Sequence, residues 1–229
     1  MDLQARLLSF PLLRAAFSGD LDQLRELLSK SRKYIDYFDP ADGLTAAHAA
    51  VVGGHHECLS ILILFGANTQ LNTFFDHAYS LRKAGALHIA CQEGHLKCIS
   101  VLAENGVDMN KTINDNQTSP IDICCRSGNV ECLCLCLEHG ADINLVMTGG
   151  QTALFTACIY GQAKCLLLLL NREAHFRIVD DSNLSPIDYA RMCGHPECVG
   201  ILLHYGSFMK GEILHIPNEL KVGCCYAFN

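Results

Sequence analysis

Three His-x-x-Cys fragments and a dense run of cysteines are the residues of this chain whose types and spacing could bind a metal ion. The fragments are His55 to Cys58, His95 to Cys98 and His195 to Cys198, and five of the 14 cysteines lie between positions 124 and 136. Imidazole and thiolate are the usual ligands of zinc. No two C-x-x-C pairs stand at zinc spacing, however.

The cysteines follow a long period instead. Five of them recur at intervals of 40, 34, 33 and 33 residues, always at the start of an apolar helical stretch: Cys58, Cys98, Cys132, Cys165 and Cys198. A free cysteine behaves as a small hydrophobic side chain. We therefore interpret these cysteines as core residues, and we expect no metal site and no cofactor.

Two histidines and two aspartates could take part in acid–base catalysis. His48, His88, Asp122 and Asp188 all occupy the fourth place of a recurring helix start. A polar side chain in that place is suited to bond a neighbouring turn or to stabilise its own. Nucleophile elbows, Walker loops, dinucleotide fingerprints and metalloprotease helices do not occur in the sequence. We expect a protein that is not an enzyme and has no small-molecule substrate.

A series of glycines marks the turns between the helices that carry these residues. Gly54, Gly94, Gly128, Gly161 and Gly194 are separated by 40, 34, 33 and 33 residues. Each lies between two short apolar stretches with helical periodicity. An earlier copy turns at Gly19 and carries more charge, as an end repeat needs when one face meets water.

The boundaries of the helices follow a common chemistry. Ser119 and Ser185 precede Pro, and Thr45 precedes Ala46, so that a hydroxyl can accept from a free N–H at each helix start. A Gly just past the second helix supplies the left-handed conformation that ends it. Four units have this stop: Gly66, Gly106, Gly140 and Gly206. In the fifth unit Glu173 takes its place.

Period, turn and cap together resemble the ankyrin repeat, a unit of about 33 residues with a T-P-L-H-x-A start. The resemblance covers residues 12–206 and implies an all-α ankyrin-repeat solenoid with short hairpin-like loops. Its departures are local, since Gly85 replaces the first Thr and Phe155 replaces the His. Helices this short need neighbouring units for stability. The expected units are 12–42, 43–82, 83–115, 116–149, 150–182 and 183–206, between a flank at 1–11 and a tail at 207–229.

Composition and charge limit the classes of partner and the cellular location that we expect. Half of the 229 residues are apolar, and 17 basic residues against 24 acidic ones give a net charge of -7. Without a basic run, nucleic acid and anionic membrane are poor partners. The apolar runs are too short for a membrane span, and the start lacks the pattern of a signal peptide. We expect reduced thiols, a monomer, and a cytoplasmic or nuclear location.

The resemblance implies that the partner is another protein, bound on the concave face formed by the loops and the first helices. The two positions before each central glycine should lie there, and in four units they supply candidate contacts: Gln92, Glu93, Arg126, Ile159, Tyr160 and Met192. About seven extra residues before the third unit form an inserted loop. Its candidate contacts are Phe74, Phe75, Tyr79 and Arg82.

We therefore expect a non-catalytic protein-binding module, an intracellular adaptor or inhibitor. One alternative is a substrate-recruiting subunit of a ubiquitin ligase, with the tail as docking site. Another is a metal- or redox-responsive regulator that uses the cysteines. The context of Asn110 also resembles that of asparagines hydroxylated in ankyrin repeats, although a local structural role for this side chain fits as well.

Overall fold

The computed structural model describes residues 11–38, 43–73, 84–113 and 117–208. These residues form twelve helices in six consecutive pairs, which confirms the helix–turn–helix units. The helices are α1 Pro11–Ser18, α2 Leu21–Lys30, α3 Ala46–Val52, α4 His56–Leu64, α5 Ala86–Glu93, α6 Leu96–Glu104, α7 Pro120–Ser127, α8 Val130–Glu138, α9 Ala153–Ile159, α10 Ala163–Asn171, α11 Pro186–Met192 and α12 Pro196–Phe208. The predicted tail lies outside the described residues from position 209 onward.

The chain forms two compact units. The first comprises residues 1–124 and 131–142, and the second comprises residues 125–130 and 143–229. Within the described part of the first unit, the loops carry two isolated antiparallel bridges, Asn72 with Gly85 and Ile113 with Thr118. These bridges are the only strand-like pairings among the described residues, so the predicted hairpin-like loops are present in an otherwise helical fold.

The first helices begin with the predicted polar pairs. Thr45 Oγ1 lies 2.9 Å from His48 Nδ1, and the two residues form a capping box. Asp188 Oδ2 accepts hydrogen bonds from the backbone N–H of Ser185 at 2.9 Å and from its hydroxyl at 2.5 Å. These contacts satisfy donors that the first helical turn leaves without a partner.

Gly85, in the place of Thr45, leaves its unit without this pairing. It begins α5 with no side-chain cap, and His88 Nδ1 is buried without a hydrogen-bond partner. Asn72 Oδ1 is also buried and unpaired. A Cβ atom on Gly85 would lie 3.2 Å from Asn72 Oδ1 and 3.4 Å from His88 Nδ1. The departure from Thr therefore costs the third unit one capping bond.

The central glycines are required by close packing as well as by backbone conformation. Gly161 has a φ of +67°, and a Cβ atom there would lie 2.5 Å from Nδ1 of His195. The same relation joins Gly19 to His55 and Gly54 to His95. In each case the residue after one central glycine packs over the preceding one. The histidines of the His-x-x-Cys fragments therefore pack against the turn of the preceding repeat.

The ends of two second helices depart from the common glycine stop. Glu173 has a φ of +63° and adopts the left-handed conformation that Gly140 has at +90°. The fifth turn is thus retained at the cost of backbone strain. The predicted stop at Gly206 is wrong, because α12 continues through it to Phe208. A glycine without a positive φ does not end a helix.

Candidate functional site

The polar side chains at the helix starts have structural partners. His48 Nε2 lies 3.1 Å from the carbonyl oxygen of Leu71, and His88 Nε2 lies 2.8 Å from that of Lys111. Burial lowers the pKa of both imidazoles to about 4. The predicted bonding of a neighbouring turn is confirmed, and both histidines are neutral near pH 7.

Four of the predicted contact residues lie in the second compact unit, and we call them the first-helix row: Arg126, Ile159, Tyr160 and Met192. Arg126 lies near the end of α7, Ile159 and Tyr160 at the end of α9, and Met192 at the end of α11. The row therefore consists of residues at the two positions before the central glycine in three successive repeats.

Large apolar side chains of the row are open to solvent. Tyr160 is 47 % exposed and Met192 is 69 % exposed, whereas Ile159 is half-buried. The guanidinium of Arg126 lies over the Tyr160 ring at 5.6 Å from its centroid. Such a contact holds the two side chains together through the ring quadrupole. The row thus presents an aromatic ring, a guanidinium and a flexible thioether.

The backbone beneath the row is held by the following repeat. His195 Nε2 lies 3.0 Å from the carbonyl oxygen of Ile159. Gln162 Nε2 donates to the carbonyl oxygen of Arg126 at 3.4 Å. Gln162 also lies where a side chain on Gly128 would have to go. These bonds fix the ends of α7 and α9, so little backbone freedom is left at Arg126 and Ile159 to lose on binding.

The other predicted contacts are distributed differently. Gln92 and Glu93 end α5 in the first compact unit, where Gln92 Nε2 lies 3.5 Å from Glu93 Oε1. They form a polar surface with Glu93 exposed. The four residues predicted in the inserted loop lie outside the described residues: Phe74, Phe75, Tyr79 and Arg82.

Asn110 joins two consecutive hairpins. Its Oδ1 accepts from the backbone N–H of Asp142 at 2.6 Å, and its Nδ2 donates to the carbonyl oxygen of Gly140 at 3.2 Å. Its own N–H donates to Asp108 Oδ1 at 2.9 Å. The side chain therefore has a structural role, but its bonds reach the next repeat, and only the main-chain N–H makes a local bond as considered. Hydroxylation of Asn110 stays a prediction.

Two features were missed by the reasoning from sequence. Tyr34 and Tyr37 are exposed, pack edge to face with ring centroids 6.1 Å apart, and line an open cleft of about 460 Å³ with Leu27. Each lies in an irregular segment where no repeat position marks it. The second feature is a cluster formed by Cys91, Cys124 and Cys136, whose sulfur atoms lie within 4.8 Å of one another.

The whole repeat region matches a known family. The model described as "Ankyrin repeats (3 copies)" matches residues 12–112, 74–147 and 123–211. The chain therefore belongs to the ankyrin repeat family, and its fold is an all-α ankyrin-repeat solenoid. Ankyrin repeats are protein-interaction modules. Within the described residues, no helix has the length and apolar character needed to cross a membrane.

Individual relatives share this region. The chain is 39% identical over 173 residues to "Ankyrin repeat and SOCS box protein 3" from Bos taurus, which covers 76% of this chain and 32% of the relative. It is 28% identical over 226 residues to "Probable E3 ubiquitin-protein ligase XBOS32" from Oryza sativa subsp. japonica, covering 86% of this chain and 38% of the relative. The chain thus spans less than two fifths of either protein.

A solved structure supports the same fold. The human ASB11 ankyrin repeat domain superposes with a TM-score of 0.73 at 26% sequence identity, over 86% of this chain and 84% of that one.

Proposed function

We propose that this chain is a non-catalytic adaptor or inhibitor inside the cell, in the cytoplasm or nucleus, that holds a partner protein on the first-helix row. The observation that carries the proposal is the exposure of Tyr160, with Arg126 over its ring, and of Met192 in the next repeat. Aromatic, methionine and arginine side chains are the types enriched at protein interfaces. Exposed side chains on a backbone already held by hydrogen bonds favour binding, because less entropy is lost.

The chemistry of the row suggests what the partner offers. Tyr160 and Met192 would bury apolar area against an apolar side chain, and Met can adjust to its shape. Arg126 would pair with a carboxylate at the edge of that contact. The proposed ligand is therefore an apolar protein segment flanked by an acidic residue. On sequence grounds the inserted loop, with Phe74 and Phe75, is a further candidate for partner contact.

The test compares two double variants within the second compact unit. Tyr160→Ser with Met192→Ser removes the apolar part of the row. Val179→Ser with Leu203→Ser is the matched control, because these side chains are 54 % and 52 % exposed and lie outside the row. Partners captured by wild-type protein are identified by mass spectrometry, and the affinity of each is measured for all three proteins.

The row variant should bind at least tenfold more weakly, a change of about 1.4 kcal/mol, while the control keeps wild-type affinity. Circular dichroism should show the same helix content in all three proteins. Wild-type affinity in the row variant would reject this surface, and equal losses in both double variants would mean that the row has no special part in binding.

A ligase-recruiting role is the second candidate, because the names of two relatives include a SOCS box and an E3 ubiquitin-protein ligase. Since α12 continues to Phe208, removing residues 209–229 leaves that helix complete. A recruiting subunit without the tail should keep its cargo and lose its ligase. If the full chain does not co-purify with any ligase subunit, this candidate is discarded.

A further inference from the structure

Three cysteines from three different helices meet in the core of the first compact unit. Cys91 lies on α5, Cys124 on α7 and Cys136 on α8, and all three side chains are fully buried. Their sulfur atoms lie within 4.8 Å of one another, and those of Cys91 and Cys136 are 3.7 Å apart. Cys132 lies one helical turn before Cys136 and hydrogen-bonds with Cys124.

We propose that Cys91, Cys124 and Cys136 bind a thiophilic d¹⁰ cation of the zinc type, with Cys132 as the fourth ligand. Soft thiolate ligands select such cations, and a set of four sulfurs is typical of tetrahedral zinc. Two of the proposed ligands are four residues apart on α8, which places them on the same helix face. This site is independent of the first-helix row.

The distances among the sulfurs of Cys91, Cys124 and Cys136 fit such an ion, whereas Cys132 lies outside this mutually close set and would have to rotate towards it. In a tetrahedral site with zinc–sulfur bonds of about 2.3 Å, neighbouring sulfurs lie about 3.8 Å apart. The Cys91 and Cys136 sulfurs already stand at 3.7 Å. For the three mutually close cysteines, the remaining separations are at most 4.8 Å. Binding would therefore draw those sulfurs together by about 1 Å at most, which small side-chain rotations can supply.

The repeats themselves show that these thiols are a local substitution. In the other four full units the position of Cys124, four residues before the central glycine, carries Ala50, Ala90, Ala157 and Ala190. The position of Cys136, eight residues after that glycine, carries Leu62, Leu102, Leu169 and Leu202. Only one unit replaces both the alanine and the leucine by cysteine. In the other units alanine and leucine at these positions are sufficient for core packing. The replacement of both by cysteine in one unit therefore needs another explanation.

Thiols bind a metal ion as thiolates, so the cluster must release protons when the cation enters. The affinity for the cation should therefore increase with pH.

The internal repeat comparison supplies a variant that should fold. Cys124→Ala with Cys136→Leu gives this unit the residues that the other four units carry at both positions. Cys98→Ala is the matched control, since Cys98 is equally buried in the same compact unit and lies outside the cluster. All proteins are the full chain, reduced and stripped of metal, and Co²⁺ and Zn²⁺ are the probes.

Wild-type protein and the Cys98→Ala control should each bind about one Co²⁺ per chain, with thiolate-to-cobalt charge-transfer absorption that Zn²⁺ removes. Zinc at a hundredfold excess over its Kd should raise Tm by about 5–10 °C in both proteins. The Cys124→Ala/Cys136→Leu variant should fold and show neither effect.

Two results would overturn the site. One is wild-type protein that binds no Co²⁺ and gains no thermal stability from Zn²⁺. The other is equal metal uptake by wild-type protein and the Cys124→Ala/Cys136→Leu variant. If that variant is less helical than wild type, the wild-type protein alone decides the question: bound Zn²⁺ should protect the peptides containing Cys91, Cys124 and Cys136 from alkylation together, and alkylation of all three at the metal-free rate would reject the proposal.

Discussion

His195 packs over Gly161, so the stability of these two successive repeats should depend on Gly161 having no side chain. Gly161→Ala places a methyl group 2.5 Å from His195 Nδ1 and 2.7 Å from Cε1. The imidazole must move, and its contact with the carbonyl oxygen of Ile159 must lengthen from 3.0 Å. Gly194→Ala is the matched control, because Gly194 has the same repeat position and a φ of +75°, with no atom within 4 Å of the new Cβ.

The magnitudes follow from the two sites. Both substitutions place alanine at a positive φ, which costs about 1 kcal/mol. At Gly161 the lost hydrogen bond adds about 1 kcal/mol and the forced displacement about 1 kcal/mol more. We therefore expect a loss of about 3 kcal/mol for Gly161→Ala and about 1 kcal/mol for Gly194→Ala. In a His195→Ala background, Gly161→Ala should cost only about 1 kcal/mol.

Urea unfolding followed by circular dichroism measures the free energies, and unchanged m values show that the same transition is compared. Thermal unfolding should give losses in Tm of about 6–12 °C and 2–4 °C for Gly161→Ala and Gly194→Ala. Two results would refute a role of His195 in joining the repeats. One is an equal loss of stability in Gly161→Ala and Gly194→Ala, and the other is a full loss from Gly161→Ala in the His195→Ala background.

Three further predictions concern the units that depart from the common pattern. Gly85→Ser should stabilise the chain by about 1 kcal/mol, because its hydroxyl can bond the unpaired Nδ1 of His88; unchanged urea stability would contradict this. Glu173→Gly should stabilise by about 1 kcal/mol and Gly140→Glu should destabilise by a similar amount, since both positions are left-handed; same-sign changes in Tm would contradict this. The stability that neutral His48 and His88 contribute should be complete above pH 6.5 and should be lost as the pH falls towards 4, by up to about 3 kcal/mol for each. Urea unfolding at several pH values measures this dependence, and His88→Gln should weaken it. An unchanged slope of unfolding free energy against pH in that variant would contradict the prediction.

Most of the local structure could be predicted, because each repeat contains its own signals. The hydroxyl at Thr45 and the carboxylate at Asp188 stabilise helix starts through bonds that span three residues. The recurrence of such signals reveals the solenoid without any knowledge of distant contacts. Prediction was wrong at Gly206, where the same residue type stands inside a helix. Gly206 does not have the positive φ with which the other terminal glycines end their helices.

The candidate surfaces were predicted to different degrees. The register identified Tyr160 and Met192 as residues at the ends of first helices, and the structure shows how exposed they are. The stacking of Arg126 on Tyr160 depends on rotamers and on the distance between repeats, which a pattern of residue types does not contain. Tyr34 and Tyr37 lie outside any repeated position, so their surface could not be anticipated.

The sequence by itself determined the repeat, its period and most of its helix boundaries, because these depend on contacts between residues a few positions apart. Only the tertiary structure decided which cysteines meet. The cluster joins Cys91, Cys124 and Cys136, which are separated by 33 and 12 residues and show no metal-binding motif. They come together because stacked repeats place corresponding helix faces against each other, and proximity of that kind is a property of packing rather than of spacing along the chain.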